Sequence, residues 1–412
     1  PDARGVQFKD EVMGELIRFV SAHEVGHTLG LPHNMGSSAA YPVEKLRDAK
    51  FTKEMGTAPS IMDYARFNYV AQPEDKGVAL MPGIGIYDKH AVKWGYTYFP
   101  EKQGHDNVEK LSNWVRAHEN DPMYRFGRQQ FGVIDPSSQT EDLGDDAMLA
   151  SHYGIKNLKR LMPNLIEWTK EENKNYTDLQ EMYGQVLGQW NRYMGHVTAN
   201  IGGVYENYKT YDQKGDVYSY VPKEKQKRAL KFLNEQSFAT PTWMLDENIL
   251  RKIESAGTVE RVRAAQTGVL NNVLDAGRMA RLIEAQARLG NNTYTLTEMM
   301  ADLRGGIWSE LSAGKSIDTY RRNLQRGYLE RMEYLMIDQE KSSSSSSAAG
   351  RAARGGTQVD VAQSDIRPVV RGELIALRSQ IRASLPKATD TMTKYHLQDA
   401  LVRIENILNP KG

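Results

Sequence analysis

The stretch HEVGHTLGLPH, residues 23–33, decides how the rest of the chain is read. It puts three of the chain's nine histidines and one glutamate into eleven residues. The residues before it carry Val12, Met13, Leu16, Ile17 and Val20 at helical spacing, which predicts a helix over 10–29 with Asp10 as its N-cap. His23 and His27 are four apart, so both rings leave one face of that helix a turn apart. Two imidazoles so placed can share one zinc ion at about 2.0–2.1 Å. Glu24 lies about 100° round the helix, off the ligand face but positioned to bond a water there. Gly30 allows a sharp turn through positive φ, and Pro32 keeps the chain out of the helix, so His33 can return to the same ion. Three neutral imidazoles leave a fourth position open, as catalytic zinc requires. On this reading zinc acidifies a water, Glu24 takes its proton and passes it to the leaving amine of a peptide, and the ion holds the oxyanion.

A second signal is PSIMDYA, residues 59–65, whose Met62 follows His33 by twenty-nine positions. The long histidine motif followed by a methionine turn is the metzincin pattern, in which the methionine forms an apolar base under the imidazoles. Four stretches carry a closer likeness: FVSAHEVGHTLGLPHNMGSS (19–38), SIMDYARFNYVAQPED (60–75), TEDLGDDAM (140–148) and RYMGHVTANIGGVY (192–205). Over about residues 10–335 the chain resembles the bacterial zinc-dependent metalloproteases of Bacteroidetes type grouped as the Met-zincin domain family. The resemblance implies Zn2+ as cofactor, a protein or peptide substrate and an exported protein. The turn S-x-M-x-Y is similar to that of astacin-like and serralysin-like enzymes, which implies that Tyr64 approaches the metal and stabilises the oxyanion. It also implies that Arg66, Phe67 and Tyr69 line the S1′ side of the cleft. In metzincins an active-site sheet precedes the zinc helix. Only twenty-two residues precede His23 here, so the cleft's upper rim is expected to be missing, the metal weakly held or absent, and this chain by itself inactive.

Composition bounds the alternatives. The 412 residues are 25% charged and 40% hydrophobic with a net charge of +1, an ordinary globular balance with no pull toward nucleic acid. The absence of cysteine removes disulfides, thiolate zinc sites and a cysteine nucleophile. No apolar run reaches the roughly 20 residues needed to span a bilayer. The opening PDARGVQFKD has no signal-peptide character, so a targeting segment is expected upstream. Oligomeric state leaves no mark in the sequence.

The fold class expected is mainly α: a partial metzincin catalytic domain, with zinc helix and methionine turn, followed by an α-helical domain with one or two small hairpins. The segments are a catalytic part at 1–135, a helical domain at 136–340, a flexible Ser/Gly/Ala linker at 341–365 and a C-terminal helical hairpin at 366–412, packing back on the helical domain. Periodicity predicts short helices near 43–48, 87–96 and 107–119, then helices at 145–161, 163–173, 177–200, 222–236, 257–288, 296–311, 316–339, 366–384 and 389–408. Hairpins are expected at MYRFGRQQFGVID (123–135) and at VYENYKTYDQKGDVYSYV (204–221).

Other chemistry-bearing residues read more plainly. His90, between Lys89 and Lys93, is expected to face solvent. In the acidic run 141–148, Asp145 or Asp146 is expected to cap the next helix rather than bind calcium. Asp63 reads as a turn residue. The tyrosines of 205–220 read as cross-strand packing, with a carbohydrate or peptide platform as the alternative. For function, the competing reading is a non-catalytic binding or scaffold protein derived from a protease, recognising a polymer or partner through its helical domain. The intact three histidines and Glu24 weigh against it.

Overall fold

The computed structural model describes residues 8–65, 67–100, 107–337 and 359–410. Helix accounts for 63% of the described residues, and the sheet found among them has two strands. The mainly α expectation therefore holds. The chain forms two compact units, one of residues 1–196 with 204–219, the other of residues 197–203 with 220–412.

The first unit opens with α1 (Asp10–Thr28), which buries Phe19, His23 and Gly26. Lys9 rather than Asp10 is its N-cap; Asp10 and Glu11 lie in the first turn, where their charges suit the helix dipole. The helix ends as the sequence requires. Gly30 takes φ +80, and Leu31 N–H bonds the Gly26 carbonyl at 3.1 Å, closing the end in left-handed backbone. A 3-10 turn at Val43–Arg47 stands where a short helix was expected. An unforeseen helix α2 (Ala49–Met55) follows, started by the Asp48 carboxylate, which accepts from Lys50 N and Phe51 N. Next come α3 (Ile86–Tyr96), α4 (Val108–Arg116) and α5 (Ala147–Leu161), the last capped by Asp146 as anticipated. The helix expected over 163–173 shrinks to a 3-10 turn at Met162–Asn164 and the short α6 (Leu165–Trp168), and α7 (Thr177–Thr198) completes the series.

The hairpin expected at 123–135 is absent among the described residues. Several of its main-chain groups bond a side chain instead of a partner strand. The Gln130 amide accepts from Ile134 N and Asp135 N at 2.9 and 3.0 Å and donates to the carbonyls of Asp135 and Ser138 at 3.1 and 2.9 Å. The second hairpin is present as β1 (Val204–Glu206) and β2 (Tyr218–Tyr220). Of its five tyrosines, Tyr208, Tyr211 and Tyr218 are exposed, while Tyr205 and Tyr220 are half-buried. One core of this unit gathers Tyr41, Val43, Leu46, Ala58, Ala65, Val70, Leu143 and Ala150; a smaller one, under α1, joins Phe19, Ile61 and Met62.

The second unit is helical: α8 (Lys223–Gln236), α9 (Glu247–Ile253), α10 (Thr258–Val273), α11 (Ala276–Leu289), α12 (Leu296–Ile307), α13 (Ser309–Ala313), α14 (Thr319–Met336), α15 (Ile366–Ser384) and α16 (Thr391–Leu408). The single helix expected at 257–288 is two, because the Asp275 carboxylate accepts from Arg278 N and starts a new one. The C-terminal pair α15–α16 packs on α14, and α15 also on α12. Most of the Ser-rich stretch read as a linker lies outside the described residues. No helix among the described residues is long and apolar enough to cross a membrane.

A buried histidine makes this unit acid-sensitive. His396 on α16 stacks on Trp308 with ring centroids 5.9 Å apart, and its Nε2 meets Gln325 Oε1 at 2.8 Å. Burial, then the charges of Arg326, Arg322 and Arg403, push its pKa from 6.5 down to about 3. Below pH 6.5 the unfolded chain takes up a proton that the folded chain refuses, so stability falls as pH falls toward 3. Urea titrations should show a midpoint that drops between pH 7 and pH 4, by up to ~1.4 kcal/mol per pH unit from this one group. His396→Gln should flatten that dependence.

Candidate metal centre

α1 presents His23 and His27 from adjacent turns, and the reversal at Gly30 carries His33 back toward them. The ring centroids stand 4.8 Å apart for His23–His27, 4.7 Å for His27–His33 and 5.2 Å for His23–His33. Their ligand atoms all lie within 4.8 Å of one another, a group that could hold a metal ion. Each ring is fixed through Nδ1: His23 to the Ile61 carbonyl at 2.8 Å, His27 to the Leu31 carbonyl at 2.9 Å, and His33 to Gln129 Oε1 at 2.8 Å. With those protons on Nδ1, each Nε2 keeps its lone pair. Nε2 of His27 and His33 face each other at 3.1 Å. Nε2 of His23 is buried with no hydrogen-bond partner. A buried polar atom without a partner costs free energy, and a cation among the three rings removes that cost. Two ligands of a tetrahedral zinc at 2.0–2.1 Å sit about 3.3 Å apart, so the donor set fits the ion. Burial also pushes the His23 pKa down, against the Ile61 carbonyl, which raises it; His27 and His33 add to the lowering. Neutral rings are the form that binds metal.

The methionine turn forms the floor. Met62 is wholly buried and lies against α1 at Gly26, where a Cβ would come within 2.3 Å of its Sδ. A glycine between the two helical histidines is therefore what lets Met62 sit under them. The turn is held by Asp88, near the start of α3, which the sequence reading did not single out. Its carboxylate accepts from Ser60 Oγ at 2.6 Å, Ile61 N at 2.7 Å and Gly85 N at 2.7 Å. Asp88 thus fixes the residue, Ile61, whose carbonyl orients His23. Gly85 passes so close to Pro59 that a Cβ would lie 1.8 Å from the Pro59 carbonyl oxygen.

Asp63 is a buried turn residue as expected, and it does structural work. It accepts from Ser37 Oγ at 3.1 Å and Ser38 N at 2.7 Å, tying the turn to the segment after His33. Tyr64 stands beside the rings, with its centroid 4.6 Å from His33 and 5.2 Å from His23. Glu24 is exposed on α1, next to the buried His23. Phe67 is exposed, while Tyr69 is taken up by packing against Tyr193 at 4.8 Å and by a bond from Leu143 N. Arg66 lies outside the described residues. His90 does not face solvent as expected: it is half-buried, edge-on to His118 and Tyr124, both at 5.1 Å. Asp145 accepts from Val43 N instead of capping.

Sequence reasoning missed Asp88 and Gln129. Asp88 had a faint signal, an acidic residue three after Gly85 at a helix start. Gln129 had none, since it is 96 positions from His33. Asp88→Ala leaves the Ser60 hydroxyl and two main-chain N–H groups buried without their acceptor. Urea denaturation should show a loss of about 3 kcal/mol or more, and Asp88→Asn, which keeps an acceptor, should lose less.

No curated protein and no solved structure matches the chain. The sequence pattern of a family described as Met-zincin matches residues 5–315, through the histidine motif, the methionine turn and most of the helical part. A match over that share of the sequence shows that the chain belongs to the Met-zincin family.

Proposed function

We propose that the chain carries the active centre of a zinc-dependent endopeptidase. The observation that carries this reading is the common orientation of three imidazoles, each held at Nδ1 by an acceptor so that Nε2 is free for one shared cation. Membership of a family described as Met-zincin supports it. His23, His27 and His33 are assigned as the ligands. Zinc held there would supply a Lewis acid able to lower the pKa of a water and polarise a carbonyl. Glu24, one residue from His23 and exposed on α1, is assigned as the base that takes the attacking water's proton and delivers it to the leaving amine. Tyr64, beside His33, is assigned to donate its hydroxyl to the oxygen that gains charge on the peptide carbonyl. Met62 packs under the rings and keeps them from shifting. The substrate is assigned as a protein or peptide, and the family resemblance supports an exported protein. We assign the catalytic part to residues 1–135 and a supporting role to the helices that follow.

Three measurements test this. Dialysis of the full-length protein against a chelator should remove peptidase activity, and about one equivalent of Zn2+ should restore it. Glu24→Gln should lower kcat by roughly 10²–10⁴-fold with zinc content unchanged; unchanged turnover would show that Glu24 is not the base. Tyr64→Phe should lower kcat by roughly 10–100-fold, again with zinc retained; full activity would remove Tyr64 from the mechanism.

A further inference from the structure

The three histidines are oriented by unlike means. His23 and His27 sit on α1 and bond main-chain carbonyls, of Ile61 and Leu31, which no side-chain substitution removes. His33 lies beyond the helix end, where no regular structure fixes its ring. Its Nδ1 is held by a side chain, the amide of Gln129 at 2.8 Å. We propose that Gln129 is the positioning residue for the third metal ligand, an assignment that rests on the zinc reading above.

The chain around Gln129 is fastened to the chain around His33 rather than lying there loosely. Asn34, the neighbour of His33, donates from Nδ2 to the Arg125 carbonyl at 2.9 Å and accepts at Oδ1 from Gly127 N at 2.8 Å. Gly36 N bonds the Gly127 carbonyl at 3.3 Å. The two main chains touch at these glycines, and a Cβ on Gly127 would come within 2.6 Å of Gly36 Cα. Arg125 is anchored in turn by Asp135 at 2.7 Å and by the carbonyls of Ser137 and Glu206 at 3.2 and 3.1 Å. Asn34 therefore sets the register of the segment that sets the ring beside it. The amide matters for its acceptor. Oε1 keeps the proton on Nδ1 and the lone pair on Nε2, whereas a donor in its place would select the opposite tautomer and turn a protonated nitrogen toward the ion. An apolar side chain would leave the ring free to rotate.

The test is zinc affinity of the full chain, read by competition with a chromophoric chelator, so it needs no peptidase turnover. Gln129→Leu should weaken zinc binding by roughly 10–100-fold. Gln129→Glu, which keeps an acceptor at the same reach, should bind zinc as tightly as the unaltered chain or more tightly. Circular dichroism and the melting point of the zinc-free variants should match the unaltered chain, since no metal ligand and no core residue changes. Gln129→Leu binding zinc with unaltered affinity overturns the assignment, as does Gln129→Glu failing alongside it. If the affinities follow this pattern but the full-length protein cleaves no peptide, the positioning role stands and the peptidase reading falls. A chain that binds no zinc at all overturns both.

Discussion

A neutral imidazole gives a lone pair to a cation from one nitrogen while the other keeps the proton, and an acceptor beside one nitrogen selects which of the two that is. The centre of this protein follows from that constraint. Three acceptors, the carbonyls of Ile61 and Leu31 and the amide of Gln129, stand behind three rings and turn the remaining nitrogens inward. Each acceptor comes from a different piece of chain: the methionine turn, the helix break and a loop 96 positions downstream of His33. Much of the first unit's irregular structure can be understood as the means of holding those three acceptors still.

Irregular chain must satisfy its own polar groups, and here buried carboxylates do so. Asp88 gathers three donors around the methionine turn, and Asp63 gathers Ser37 and Ser38. The cost is charge in a dry place. Burial pushes the Asp63 pKa up, and burial together with the Asp63 charge pushes Asp142 well above the carboxylate range. Two such charges in a dry place each disfavour ionisation of the other. The second unit solves the same problem with the opposite sign. Arg321 is nearly buried, and its guanidinium serves the carbonyls of Phe238, Gly306 and Ile307 and the carboxylate of Glu310. A rigid fork of five donors suits the open carbonyls at helix ends.

The amino-acid sequence by itself determined the local chemistry. Spacing of four put His23 and His27 on one helix face, Gly30 ended that helix in left-handed backbone, and the stretch around Met62 was recognisable as a turn beneath the rings. Long helices with 3.6-residue periodicity were legible because their burial pattern is written in consecutive residues. Breaks within them were not, because a cap such as Asp275 looks like any surface aspartate until its donors are seen. What only the tertiary structure decided was the company each residue keeps at long range. Gln130 and Asp135 use side chains to close a loop that alternation had suggested was a hairpin. Asp88 reaches back to Ile61, and Gln129 reaches back to His33. Hydrogen bonds of this kind depend on where separate pieces of backbone meet, and no period or spacing along the chain encodes that meeting.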